Sequence, residues 1–201
     1  MLSSRLGGKF DSQAMNLIKK IGLKGIHPNL LTIIGLIFNL IAAILISISY
    51  WKIGGLAILF AGLFDLLDGA VARQRKMASH FGALLDSTLD RASDLFILFG
   101  ILIYYSIANL TSMVVLTCGV ILGSVLIPYI RAKAEIIMKK CDVGILERPE
   151  RIILLAIGAL TGWMKPILWI ILILSFVTVI QRINASYKFF KKKDNLDKKM
   201  D

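Results

Sequence analysis

The sequence predicts an all-α, polytopic membrane protein, with six transmembrane helices preceded by an N-terminal interfacial amphipathic helix. Three observations carry that expectation. Of 201 residues, 57% are hydrophobic and the mean hydropathy is +0.75, more apolar than an ordinary soluble domain. The apolar residues fall in runs near the ~20 residues that cross a bilayer. Most of the basic residues are segregated to the connections and ends of those runs.

Residues 1–27 are polar and basic. Phe10, Ala14, Leu17, Ile18 and Ile21 recur at helical spacing, with Lys19, Lys20 and Lys24 off that stripe, the pattern of a helix lying in the membrane surface. His27-Pro28-Asn29 interrupts it, and no apolar stretch of signal-peptide type comes earlier. Six apolar segments follow, roughly 29–50, 54–73, 81–105, 111–132, 150–163 and 166–187. The fifth is short for a span. A lysine-rich tail, 188–201, closes the chain, so the parts are 1–27, 28–187 and 188–201.

The formal net charge is +11. With the N-terminus in the cytoplasm, only Lys52 and Lys165 fall in outer loops. Arg73, Arg75, Lys76, Lys133, Lys139, Lys140, Arg148, Arg151 and the C-terminal lysines all fall inside, as the positive-inside bias requires. The excess charge is therefore topological. No basic-aromatic interleaving accompanies it, which argues against nucleic acid as a partner. Two cysteines, Cys118 in an apolar run and Cys141 in a basic loop, make no disulfide framework and are expected as free thiols.

Against this background four carboxylates stand out: Asp65, Asp68, Asp86 and Asp90. Each costs at least ~2.5 kcal/mol at membrane depth, so they require a wet cavity, cations, or both. At 100° per residue Asp65 and Asp68 share a face of the second span, and Asp86 and Asp90 share a face of the third. Gly69 and Ala72 lie on the side of the first pair, and Gly82 lies one turn before the second. Small neighbours let a bulky polar ligand approach the backbone. Oxygen-only donors suit Mg²⁺ or Mn²⁺, one or two ions, and not zinc or copper. Such a site fits in-line displacement at phosphorus, with Arg73 available to phosphate. An ion pathway or a small cation transporter is the alternative these residue types leave open.

The run Asp65-Leu-Leu-Asp68-Gly69-Ala-Val-Ala72-Arg73, eight residues, then Gly82-Ala-Leu-Leu-Asp86-Ser-Thr-Leu-Asp90 resembles the full signature of the CDP-alcohol phosphotransferase family, with every fixed position present. The resemblance implies transfer of a phosphoalcohol group from a CDP-linked lipid to an acceptor hydroxyl, with release of CMP. It implies Asp65, Asp68, Asp86 and Asp90 as metal ligands around two ions, and Asp90 as the general base. Pro28, Asn29, Leu30, Leu31, Gly69, Ala72, Arg73, Ser79 and Gly82 would border the CDP-lipid. A homodimer in the cell membrane, with the site facing the cytoplasm, is also implied.

The second half narrows the acceptor. Tyr129-Ile-Arg131-Ala-Lys133-Ala-Glu135 and Val143-Gly144-Ile-Leu-Glu147-Arg148-Pro149-Glu150-Arg151 are similar to the phosphatidylinositol-phosphate synthase branch, and to archaetidylinositol-phosphate synthases. That resemblance implies CDP-diacylglycerol or CDP-archaeol as donor and inositol 1-phosphate as acceptor, its phosphate held by Arg131, Arg151 and Arg182. A guanidinium fork suits a phosphate monoester. A phosphatidylglycerophosphate synthase, using glycerol 3-phosphate, would need a similar pocket. Glu135 and Glu147 are expected in structural ion pairs and Asp94 in a buried one. His27 and His80 are expected as caps or surface groups, and Trp163 and Trp169 in an interfacial belt.

Overall fold

A computed structural model describes residues 28–74, 79–138 and 140–197. Among these, all regular structure is helical, in six helices: α1 (Pro28–Ser47), α2 (Trp51–Gln74), α3 (His80–Ile107), α4 (Thr111–Glu135), α5 (Arg148–Thr161) and α6 (Met164–Asp197). Residues 1–27, where the amphipathic helix is expected, lie outside the described residues. The chain divides into two compact units, 1–100 and 101–201.

In the first unit α1 and α2 form a hairpin. Three residues join them, with Ser49 at φ +74°, so the helices turn back within a single tight bend. Their contact is built from small and aliphatic side chains: Ala42, Ala43 and Ile46 on α1, Ala57, Ile58 and Ala61 on α2, all buried. In lipid, where no hydrophobic force drives helices together, such small residues allow close van der Waals packing. Phe38 stacks on Phe64 at 5.5 Å between ring centroids. Gly100 of α3 lies against the Ala43 backbone of α1, where a Cβ would come within 2.4 Å of the carbonyl oxygen.

In the second unit α6 is the hub, packing against both α4 and α5. Gly123 of α4 sits where a Cβ would meet Ser175 of α6 at 2.7 Å. α5 begins at Glu147, whose N–H donates to the Glu150 carboxylate at 3.1 Å, a capping-box arrangement with Pro149 in the first turn. It ends at Gly162 in the left-handed conformation, φ +79°. Between α4 and α5 the chain runs as an irregular segment through 141–147.

Three helices are long and apolar enough to cross a membrane: Asn29–Ser47, Thr111–Glu135 and Met164–Lys193. Many of their large aliphatic side chains are exposed, Ile37, Ile44, Val115 and Ile173 among them, as a lipid-facing surface demands. One boundary differs from expectation. α6 continues to Asp197, through most of the stretch the sequence set apart as a tail. Lysine is a good helix former, and extending an existing helix needs no new nucleus.

Candidate active site

In the first unit Asp65 and Asp68 occupy the same face of α2. Asp68 is 6% exposed, and the Thr32 hydroxyl of α1 donates to its Oδ2 at 2.7 Å. Gly35, one turn further along α1, lies beside Asp65: a Cβ there would stand 3.5 Å from Oδ1. Helix α1 thus braces both carboxylates, one by a hydrogen bond and one by leaving room. Asp65 of α2 and Asp86 of α3 both lie within electrostatic reach of Asp68. Carboxylates carried by two helices thus act on one another's charge. Asp90 is half-buried one turn beyond Asp86 on α3.

These residues fit a hard divalent cation in kind. All donors are carboxylate oxygens, and three mutually repelling charges gain from a cation among them. They do not form a finished cage, since among the described residues no group of three or more His, Cys, Asp or Glu is arranged to hold a metal ion.

A polar corner lies at the start of α3. Ser79 precedes the helix and its hydroxyl accepts the Gly82 N–H at 2.9 Å, a serine N-cap. A Cβ on Gly82 would fall 3.0 Å from Ser79 Oγ and 3.6 Å from Asn29 Oδ1. Three of the expected CDP-lipid neighbours, Asn29, Ser79 and Gly82, are thus one cluster. Leu30 is exposed, whereas Leu31 is 1% exposed and packs inward, leaving only its backbone available to a ligand. Pro28 opens α1, and Gly69 follows Asp68 on α2. Ala72 and Arg73 belong to the end of α2, and their side chains lie outside the described residues.

In the second unit the three arginines have distinct environments. Arg131, near the end of α4, pairs with Glu135 at 3.0 Å and with Asp142 at 3.3 Å. The expected Glu135 ion pair is present. Arg182, 2% exposed, donates from Nε to the Val143 carbonyl at 2.9 Å and from Nη1 to the Ile127 carbonyl at 2.7 Å. It clamps the 141–147 segment and α4 to α6, a structural task the sequence did not disclose. Arg151, on the first turns of α5, is 4% exposed. Arg131 and Arg182 act on each other electrostatically, and the carboxylates of Glu147 and Glu135 also act on Arg182.

Other expectations have outcomes here. Asp94 is buried. Cys118 and Cys141 are free thiols. His80 is exposed at the start of α3, and Trp163 and Trp169 are exposed. Thr32 is the functional neighbour that sequence reasoning passed over. Its signal was available: a lone hydroxyl one turn after Asn29 in an otherwise apolar run.

Residues 25–181 match the family model described as CDP-alcohol phosphatidyltransferase. The chain belongs to that family and is a transferase. It is 35% identical over 190 residues to an archaetidylinositol phosphate synthase of Pyrococcus horikoshii, covering 92% of this chain and 96% of the relative. It is 35% identical over 172 residues to a phosphatidylinositol phosphate synthase of Mycobacteroides abscessus, covering 80% and 77%. Among solved structures it is similar to the Mycobacterium tuberculosis phosphatidylinositol phosphate synthase with CDP-DAG bound, at TM-score 0.77 and 30% identity over 89% of this chain and 93% of the other. A second structure of that enzyme, in complex with manganese and citrate, gives TM-score 0.78 at 30% identity over 87% and 88%.

Proposed function

We propose that this chain transfers a phosphatidyl or archaetidyl group from a CDP-lipid to inositol 1-phosphate, releasing CMP and leaving a lipid inositol phosphate. The observation that supports the reading is Asp68, buried on α2 and hydrogen-bonded by Thr32 of α1, with Asp65 on the same face and Asp86 near enough for its charge to act on it. The names of the relatives and the manganese and CDP-DAG in the similar structures support it.

Asp65, Asp68, Asp86 and Asp90 would hold Mg²⁺ or Mn²⁺, as two ions. A metal bound there would supply dispersal of negative charge on the pyrophosphate. The chain's own residues do the rest. The Asn29–Ser79–Gly82 corner, with Pro28, Leu30, the Leu31 backbone, Gly69, Ala72 and Arg73, borders the CDP part. Asp90 takes the proton of the acceptor hydroxyl. The freed oxygen bonds to the lipid-bearing phosphorus, the phosphoanhydride bond breaks, and CMP leaves with the electron pair. Arg131, Arg151 and Arg182 hold the acceptor's phosphate. Arg182 has two nitrogens on backbone carbonyls, so it contributes mainly field and position, and Arg131 supplies the more accessible fork.

Six spans, an interfacial N-terminal helix, cytoplasmic termini and site, and a homodimer complete the reading. An acceptor panel tests it: one CDP-lipid offered with inositol 1-phosphate, glycerol 3-phosphate, inositol and serine, with CMP release measured. The expected result is turnover with inositol 1-phosphate well above the others. Preference for glycerol 3-phosphate would make the chain a phosphatidylglycerophosphate synthase. No CMP with any acceptor would reject the reading.

A further inference from the structure

We propose that a cleft between the 143–145 segment and the face of α6 bearing Gln181, Asn184 and Lys188 binds the phosphate-bearing headgroup of an anionic glycerophospholipid. The cleft has a volume of about 470 Å³, within the range of ligand sites (about 300–1,000 Å³). It uses none of the residues assigned to group transfer, so it stands apart from the acceptor's identity.

Its walls are built. Val143 is tied to Arg182 by a 2.9 Å bond, and the Leu146 N–H donates to Thr178 Oγ1 at 3.1 Å. The helix that forms one wall therefore fastens the other. Gly144, at φ +145°, lets the segment press in where a Cβ would stand 2.7 Å from Thr178 Cγ2.

The lining selects the ligand. Gln181 Oε1 is buried and has no hydrogen-bond partner, a cost that an incoming hydroxyl donor removes. Asn184 and Lys188 line the same cleft and offer N–H donors to a phosphate. Val143 and Ile145 complete it with exposed aliphatic surface, 42% and 57% accessible, and Ile136 and Ile137 are exposed just before them in the chain. A soluble polyol phosphate has no use for that apolar rim, whereas a lipid has. Depth agrees: twenty residues of α6 from Met164 rise about 30 Å, the hydrocarbon thickness, which sets Asn184 at its edge. A hydroxyl-bearing anionic headgroup such as phosphoglycerol meets all these demands.

The test is native mass spectrometry of the full-length protein titrated with phosphatidylglycerol or phosphatidylcholine. Wild type is expected to retain one phosphatidylglycerol per chain, at least tenfold more readily than phosphatidylcholine. Asn184→Leu with Lys188→Gln should lower that retention at least tenfold, with CMP-forming activity in phosphatidylcholine unchanged. Exposed Lys188→Gln alone, which leaves the buried face untouched, should lower it at least threefold and serves if the double variant misfolds. Retention unaltered by Lys188→Gln would overturn the proposal. So would equal losses on neutralising Lys191, Lys192 and Lys193, which mean only diffuse charge attraction. Displacement of the lipid by soluble inositol 1-phosphate would overturn it in favour of a soluble ligand.

Discussion

Asp90 and Thr32 carry the sharpest consequences at the level of single side chains. Asp90→Asn keeps size and removes the base, so turnover should fall by at least about 10²-fold while CDP-lipid binding persists. Calorimetric titration with CDP-lipid beside the rate assay checks this, and near-normal turnover would contradict the assignment. Thr32 acts through Asp68, whose Oδ2 its hydroxyl holds at 2.7 Å, which makes it a positioning residue. Thr32→Val deletes the donor to Oδ2 and should raise the Mn²⁺ dissociation constant about tenfold. Thr32→Ser should restore it. Paramagnetic resonance of free Mn²⁺ reads binding directly, apart from activity.

Helices and their connections set a second group of effects. Gly100 permits α3 to touch the α1 backbone, so Gly100→Leu should destabilise by about 2 kcal/mol or more, visible as a lower melting temperature in detergent. A normal melt would mean that the close approach is dispensable. The 140–142 segment responds to pH. Lys140, hydrogen-bonded to Asp142, and Arg131 beside it hold the Asp142 carboxyl below its ordinary value. A depressed folded-state pKa stabilises above the unfolded value, near pH 4, and that contribution disappears as pH falls through the depressed value. The protection factor of the Cys141 amide, whose N–H donates to Glu135, should therefore fall below about pH 4. An unchanged protection factor between pH 3 and pH 6 would remove Asp142 from the account.

For the molecule as a whole, charge placement predicts which way the chain faces. A fluorescent protein fused after Asp201 should fold and glow in the cytoplasm, and a dark fusion would reverse the proposed orientation. Helix positions were legible because apolar runs and turn residues alternate so plainly. The aspartates were legible because charge at membrane depth has no cheap structural reason to exist. Arg182 illustrates the limit. Its place in an apolar helix announced importance, but its bonds reach residues 39 and 55 positions away, and no local pattern reports such partners. Thr32 had a local signal, a hydroxyl in an apolar run, but its partner lies 36 positions on and nothing local names it. The end of α6 escaped because hydropathy marks where a chain leaves the membrane, not where its hydrogen bonding stops.

Arg182 and Thr178 strap the 141–147 segment to α6, while the second guanidinium bond reaches into α4. Three stretches of backbone distant in sequence thereby become one mechanical part. A tilt of any of them must be shared by the others, and a mutation loosening one knot should be felt at the remaining two as non-additive energies in a double-mutant cycle. Arg131, tethered to the same strap through Asp142, rides with that part instead of swinging alone.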